Sequence, residues 1–589
     1  MEKDSILIVS SNFRKAYPIV KSISKMGFRT ITAFYTWRST IFSKYVNKRY
    51  YIPNPYLNEK SYIANILLII NHEKPLMIIP VGFIDNIILS KYRCHIPSDV
   101  VLPIPEYSKL IEVSRKDLLA QLCKDLGIKY PKILSSNEAA KVPVVIKGIF
   151  DSSKPDYAFF KEEFNMKMSK RKGKIIVQEF IPGIGCGYFA IAKNGKVYVD
   201  YTHVRIIEKK PSGGPSIVSC IDFNPELIAL GRNIVKKLKW TGVIMAEFRR
   251  HVETGEYYLL EINPKFWGSL ELALSKGLDF PKYLIEVFLY GKKPKAEISL
   301  KRKCFAWVLE SMYYLKQNPK VWFKIVRHAL CEGILNTDIH ILDPSELTFS
   351  LITRIATLFT KSKRINRHGL YKRYIENILS LAIRLNKKPI NCVISDFDGT
   401  LFNLRVKWNN LRKLLISRGL LKPWDSIQVG LYKTKNTKHF SKINLILRSA
   451  EEKALENIRG DEEVKEMIKE LTNKGIKLAV VTKQESYIVR KALEKTGLTK
   501  AFIAIIGREQ CILRENQLKI LLRKIHAKPE EAVIIGDQLA DIVSAVKLGA
   551  VPIAIARNSY MYQQYTELGV PCFNSIKYAL KFIIKNLKG

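Results

Sequence analysis

Apolar runs of four or five residues, each closed by a polar turn, recur along the first hundred positions of the chain. Ile6-Leu7-Ile8-Val9 runs into Ser10-Ser11-Asn12 and then into a helix-period stretch reaching Met26. Gly27 caps that helix, Arg29–Ala33 reads as the next strand, and Leu76-Met77-Ile78-Ile79-Pro80 as another buried one. This β-α-β punctuation predicts a parallel sheet with helices on both faces. From Ser114 the pattern changes. A helix begins at Lys116, strands follow at Val144–Lys147 and Ile175–Glu179, and Asn194-Gly195 turns a hairpin. A helix over Pro225–Leu238 leads to paired strands at Val243–Arg249 and Tyr257–Ile262. Between about 296 and 389 the rhythm gives way to helices with stripes such as Trp307, Met312, Tyr313, Trp322, Phe323 and Ile325, which read as core. Cys392-Val393-Ile394-Ser395 restarts an α/β pattern that runs to the end.

A chain of 589 residues exceeds one hydrophobic core and predicts three or four domains. Its 47% hydrophobic and 26% charged residues are those of a soluble globular protein. No apolar run reaches the roughly 18 to 20 residues of a membrane span, and the N-terminus lacks the pattern of a secretory signal. Nine scattered cysteines without a Cys-x-x-Cys pair argue against a zinc ribbon or disulfide scaffold and for a reducing cytoplasm. The net charge of +43 is spread along the whole chain, which favours solvated lysines over one dedicated anionic partner. The stretch from Lys292 to Lys388 still stands out, with 20 Lys/Arg against 7 Asp/Glu. It reads first as a packed linker. An anionic bilayer surface is the second reading, and nucleic acid, kept open by Lys361-Ser362-Lys363-Arg364, the third.

Chemistry concentrates in two places. Asp396-Phe397-Asp398-Gly399-Thr400 follows an apolar strand directly, so both carboxylates emerge at the strand's C-terminal edge and Gly399 permits the turn. Such a pair can hold Mg²⁺, one carboxylate attacking phosphorus and the other handling the leaving-group proton. A second buried strand, Leu478–Val481, ends in Thr482-Lys483, a hydroxyl and a cation suited to phosphoryl oxygens. A third, Val533–Ile535, ends in Gly536-Asp537, with Asp541 four residues on, a spacing that turns both acids to one face. Strand by strand this resembles the haloacid dehalogenase (HAD) superfamily from Asn391 to the end. The resemblance implies an aspartyl-phosphate at Asp396, general acid–base work by Asp398, phosphate anchoring by Thr482, and Mg²⁺ held by Asp537 with Asp541. It also calls for a basic residue before the last strand, with Arg514 in best register and Lys519 as runner-up. The helical stretch from about 402 to 471 lies where that family inserts a cap, which favours a small phosphomonoester.

The second constellation lies upstream. Lys116 begins a helix, Lys147 ends a strand, and Gln178-Glu179-Phe180-Ile181 ends another with a polar edge suited to adenine. Glu247, Glu261 and Asn263 sit on two adjacent strands and offer three oxygen ligands for Mg²⁺ bridging phosphates. In order and spacing these resemble the carboxylate–amine ligases of the ATP-grasp superfamily, as do Glu261-Ile262-Asn263-Pro264-Lys265-Phe266-Trp267-Gly268-Ser269, Arg205 and the loop Ser212-Gly213-Gly214-Pro215-Ser216. The resemblance implies ATP-dependent phosphorylation of a carboxylate and attack by an amine. In it Lys116, Lys147, Gln178, Glu179 and Ile181 hold the nucleotide and Arg205 holds the reacting carboxyl. Two positions depart from the pattern: Lys265 stands where many relatives have Arg, and Gly183-Ile184-Gly185-Cys186-Gly187 lacks the acid used on the ribose.

The sequence therefore predicts an α/β multidomain chain. A pre-ATP-grasp α/β domain spans 1–110, an ATP-grasp α+β domain 111–295, a basic helical connector 296–389, and a HAD Rossmann-like domain with a helical cap 390–589. The expected function is bifunctional, ligase and phosphatase, using ATP and Mg²⁺ on small-molecule substrates in the cytoplasm, with a peripheral membrane position left open. The alternative is one working phosphatase beside a nucleotide-binding or membrane-tethering half.

Overall fold

The computed structural model describes residues 4–11, 13–139, 143–150, 155–171, 173–209, 214–297, 304–359, 367–387 and 389–587. Ser212, Gly213 and the patch Lys361–Arg364 lie outside the described residues.

The leading domain is a parallel sheet in the order β3-β2-β1-β4, from β1 (Ser5–Val9), β2 (Arg29–Phe34), β3 (Lys48–Tyr51) and β4 (Met77–Pro80). In β1, Ile6 and Ile8 face one core while Leu7 and Val9 face another, so an unbroken apolar run is what a sheet covered on both sides requires.

Next come a small antiparallel sheet, β6-β5-β7, and a large one. The small sheet comprises β5 (Val144–Gly148), β6 (Asp156–Ala158) and β7 (Ile175–Glu179). The large sheet comprises β8 (Gly183–Lys193), β9 (Lys196–Glu208), β10 (Ser216–Ile221), β11 (Gly242–His251), β12 (Tyr257–Asn263) and β13 (Cys304–Ala306), in the order β12-β11-β8-β9-β10-β13. Asn194 and Gly195 turn the β8–β9 hairpin with φ of 52° and 81°, the paired left-handed geometry of a tight hairpin turn. The last strand, β13, comes from the stretch expected to be purely helical connector. Trp307, just beyond it, is fully buried with the leading domain.

Cys220 of β10 and Cys304 of β13 stand opposite in register and form a disulfide. The sequence argues against a disulfide scaffold and for a reducing cytoplasm, yet this one pair is bonded. Their separation of 84 residues hides in sequence what strand pairing brings together.

Helices Pro319–Glu332, Pro344–Phe359 and Arg367–Lys387 follow. The C-terminal domain is a six-stranded parallel sheet of β14 (Cys392–Ser395), β15 (Lys477–Val481), β16 (Phe502–Ile506), β17 (Ala532–Gly536), β18 (Val551–Ile555) and β19 (Cys572–Phe573), ordered β16-β15-β14-β17-β18-β19. The chain runs outward from β14 through β15 to β16 and then crosses back to β17 on the other side of β14, so a crevice opens at the carboxyl ends of β15, β14 and β17. Helices Trp408–Ser417, Ile427–Thr434 and Lys438–Leu455 form the cap around Leu415, Leu421, Leu431, Ile443 and Leu447. The helix Glu462–Asn473 instead packs Val464, Ile468 and Leu471 into the sheet's own core, so the cap closes before residue 462 and not at 471.

The halves share a core. Val145, Phe159 and Phe180 of the grasp domain pack with Ile542, Tyr565, Leu568 and Val570 of the C-terminal domain.

Candidate active sites

At the crevice of the C-terminal sheet, Asp396 follows β14, Asp537 follows β17, and Asp541 sits in the first turn of the helix Leu539–Leu548. All three are buried, and carboxylate oxygens of all three lie within 4.8 Å of one another. Asp537 precedes the helix, so the two acids converge from a strand end and a helix start instead of from one helical face. Asp541 Oδ2 accepts from Gln538 N at 3.0 Å, a capping contact that fixes its rotamer.

Arg514 joins the group. Its Nη2 lies 2.5 Å from Asp396 Oδ1 and its Nε 2.6 Å from Asp541 Oδ1. The guanidinium is almost wholly buried, whereas Lys519 is exposed and pairs with Glu515 on its own helix. Burial pushes the Asp396 carboxyl well above the usual range; Arg514 opposes this while Asp541 and Asp537 add to it. Three buried acids, two of them sharing Arg514 and the third, Asp537, with its Oδ1 lacking a hydrogen-bond partner, form a donor set that suits a divalent cation.

Asp398 points elsewhere. Its Oδ1 accepts from Leu404 N at 2.9 Å and its Oδ2 from Trp408 Nε1 at 3.3 Å, which ties it to the start of the cap. Its backbone carbonyl accepts from Arg557 Nη2 at 2.8 Å, and the same guanidinium pairs with Asp537 Oδ2. Gly399, with φ of 89°, lies so close that a Cβ would strike Arg557. Thr482 is fully buried, its hydroxyl donating to Gln484 Oε1, and Lys483 Nζ donates to Gln538 Oε1 at 2.8 Å. A cavity of about 1250 Å³ between the 399–407 loop, the cap and the core is edged by Arg405, Lys407, Lys453, Arg459 and Arg557.

The upstream site is a cavity of about 510 Å³. Lys116, Lys147, Gln178, Glu179 and Ile181 all line it from the helix and the small sheet, and Arg205, Glu247, Glu261 and Asn263 line it from the large one. Glu247 and Glu261 are direct partners across β11 and β12. Arg205 Nη2 lies 2.7 Å from Glu247 Oε1, and its Nη1 donates to Gly214 O at 3.0 Å, tying the glycine loop to the site. Lys116 Nζ approaches Glu261 Oε2 at 3.7 Å. Asn263 Nδ2 donates to Glu261 Oε1 at 2.8 Å, and Lys265 Nζ donates to Asn263 Oδ1 at 2.5 Å. Burial raises the Glu247 carboxyl to about 7, Arg205 working against and Glu261 with it. Two facing acids and an amide oxygen beside two lysines fit a cation bridged to phosphates. Glu179 is partly committed, its Oε1 accepting from Lys132 N at 3.0 Å.

The sequence reading missed Arg14, Lys15, Glu208 and Glu310, which also line this cavity. Glu208 lies 3.2 Å from Arg205 Nη1. Arg14, Lys15 and Glu310 lie outside the motifs read in the sequence, and Glu208, three residues after Arg205, carries no signal beyond its charge.

Comparison with known proteins bears on both halves of the chain. Residues 172–305 match the family described as ATP-grasp in the biosynthetic pathway with Ter operon. Residues 393–555 match the haloacid dehalogenase-like hydrolase family. Similar to the chain are a D-aspartate ligase of Enterococcus faecium, 22% identical over 35% of this chain and 56% of that protein, and a putative pyrophosphatase PpaX of Caldanaerobacter subterraneus, 31% identical over 16% and 44%. Among solved structures, an L-amino acid ligase from Bacillus licheniformis aligns with a TM-score of 0.40 at 13% identity, over 49% of this chain and 75% of that one. The chain thus spans about half the length of the curated relatives it matches. One segment of it is similar to an ATP-grasp family and a later one to the haloacid dehalogenase-like hydrolases.

Proposed function

We propose that the chain is a bifunctional enzyme: an ATP-dependent carboxylate–amine ligase and a phosphomonoesterase. One observation carries this. At each site a buried arginine pairs with an acid, Arg205 with the half-buried Glu247 and Arg514 with the buried Asp396.

In the ligase half, a carboxylate oxygen attacks the γ-phosphorus of ATP and the bond to the ADP oxygen breaks. An amine nitrogen then attacks the acyl carbon and phosphate leaves. Lys116 and Lys147 offset phosphate charge, Gln178, Glu179 and Ile181 frame the base, and Arg205 orients the carboxyl. Glu247, Glu261 and Asn263 would hold Mg²⁺, which supplies further neutralisation of the phosphates. The kinship with an amino-acid ligase supports amino-acid-like reactants.

In the second half, Asp396 attacks phosphorus and the ester oxygen departs with a proton from Asp398. Asp398 then takes a proton from the water that cleaves the aspartyl-phosphate. Arg514 keeps Asp396 aimed, and Thr482 turns from Gln484 to the phosphoryl oxygens. Asp396, Asp537 and Asp541 would hold Mg²⁺, which supplies charge neutralisation at phosphorus. The basic rim of the large cavity favours a small anionic phosphomonoester.

The test is ADP release from Mg-ATP by the Asp396→Asn chain, with pooled amino acids and hydroxylamine to trap an acyl-phosphate. Hydroxamate and ADP, both lost in Glu261→Ala, are expected. Nucleotide binding without turnover across a broad pool would leave one working phosphatase beside a nucleotide-binding half.

The place of action is proposed as the cytoplasm, with a peripheral position at an anionic membrane surface as the second reading of the helical connector. Among the described residues no helix is long and apolar enough to cross a membrane. Tyr371, Ile375, Leu379 and Ile383 are nonetheless exposed at four-residue spacing on one face of the helix Arg367–Lys387, with Lys372 beside them. Flotation with acidic but not neutral vesicles is expected; equal absence from both at moderate salt removes this placement.

A further inference from the structure

The β11–β12 hairpin belongs to the grasp sheet, but its tip leaves that domain and enters the other. Three contacts define the entry. Glu253, buried at the tip, accepts from Arg514 N at 3.2 Å through Oε1. Arg250 pairs with Asp425 and donates to Trp424 O, both on the cap. Gly255, with φ of 73°, packs so closely on the cap helix Ile427–Thr434 that a Cβ would lie 2.4 Å from Val429 Cγ1.

The first contact bears on chemistry. Arg514 opens the helix Arg514–Lys524, and the N–H of a first helical residue has no acceptor within its own helix. The preceding residue, Leu513, has no side-chain oxygen to supply one. Glu253 supplies it from 261 residues away, and its negative charge sits at the favourable end of the helix dipole. The residue so held is the one whose guanidinium spans Asp396 and Asp541. Burial works against that guanidinium's charge; Asp541, Asp396 and Glu253 together outweigh it. On the strand that leads into this turn, Glu247 lies in the nucleotide cavity, six residues before Glu253.

We propose that Glu253 is a positioning residue of the phosphotransfer site, supplied by the ligase half, so that this site is complete only when the two halves are docked. The proposal rests on the reading of Asp396 as nucleophile. Displacing the first residue of the helix displaces the guanidinium that aims Asp396, and a misplacement of that kind costs turnover more than binding.

The full chain is assayed with p-nitrophenyl phosphate and, independently, with Mg²⁺ and beryllofluoride, whose adduct on an aspartate is read by fluorine NMR. Glu253→Ala is expected to lower kcat about tenfold or more with KM within about twofold, and to weaken the adduct. Glu253→Gln keeps an acceptor oxygen and is expected to stay within about threefold of the parent. Both are compared at matched melting temperature, and Glu253→Gln serves alone if the alanine chain does not fold, an acceptor-retaining loss above tenfold then overturning the proposal. Parental behaviour in Glu253→Ala, or equal loss in both variants, also overturns it while leaving Asp396 in its role. Absence of any Asp396-dependent adduct or turnover in the parent removes the nucleophile reading itself, and the proposal with it.

Discussion

Glu247 and Glu261 face each other directly across β11 and β12, and the nearest guanidinium, Arg205, reaches only the first of them, at 2.7 Å. Two acids held this way repel unless a cation lies between them. Arg205 offers a planar fork that a lysine cannot reproduce. Arg205→Lys is therefore expected to cut hydroxamate-linked ADP formation about 100-fold while Mg-ATP still binds, as read by calorimetry. Unchanged turnover would show that Arg205 does not hold the reacting carboxyl.

Arg514 and Lys519 divide the same way. Arg514→Met leaves Asp396 and Asp541 buried beside each other without their shared partner, an effect on the order of 3–5 kcal/mol. Phosphomonoester turnover should fall at least about 1000-fold and the melting temperature should drop. Lys519→Ala, altering an exposed pair with Glu515, should stay within about twofold in both assays. A reversal of the two outcomes would move the basic role to Lys519.

Arg557 bridges the Asp398 carbonyl and the Asp537 carboxylate, two oxygens on the rim of the three-acid cluster. A cation drawn to Asp537 must compete with this guanidinium. Arg557→Gln should tighten Mn²⁺ binding about tenfold, measured by titration calorimetry without substrate. Weaker binding in the variant would make Arg557 a support for the site and not a competitor.

His340 bonds Glu271 at 2.7 Å through Nε2 and Glu346 at 2.6 Å through Nδ1, joining the connector to the grasp domain. Burial alone would lower its pKa, but the two carboxylates raise it from 6.5 to about 10. Below the unfolded value of 6.5 the imidazolium exists in both states and its contribution is complete. As pH rises towards 10 the folded protein loses that contribution. The stability gap between the parent and His340→Gln, at most about 5 kcal/mol, should therefore shrink from pH 6.5 to 10 in thermal unfolding. A gap that stays flat or widens would contradict it.

The catalytic strands were legible because each is a short apolar run ending in a carboxylate, a lysine or a hydroxyl, and parallel strands put such ends on one edge. Asp396, Asp537 and Asp541 could be placed in one crevice from strand ends sharing an edge together with the family resemblance, although the four-residue spacing of Asp537 and Asp541 was misread as one helical face. The choice between Arg514 and Lys519 could not, because five residues along one helix separate a buried face from a solvated one. The cap's end was misplaced since amphipathic helices look alike whether they cover a substrate or a sheet; only the partners of Val464 and Ile468 separate the two. The contacts of Glu253 with Arg514, of Arg557 with Asp398 and of Cys220 with Cys304 join residues 84 to 261 positions apart, and no local pattern encodes contacts of that kind.

The apolar cluster in which Val145, Phe159 and Phe180 meet Tyr565, Leu568 and Val570 has a practical consequence. At about 2 kcal/mol for each side chain kept from water, severing the chain near residue 390 would leave two sticky surfaces instead of two independent enzymes. Heat that opens this seam would expose both surfaces at one temperature, so the two halves are expected to unfold together.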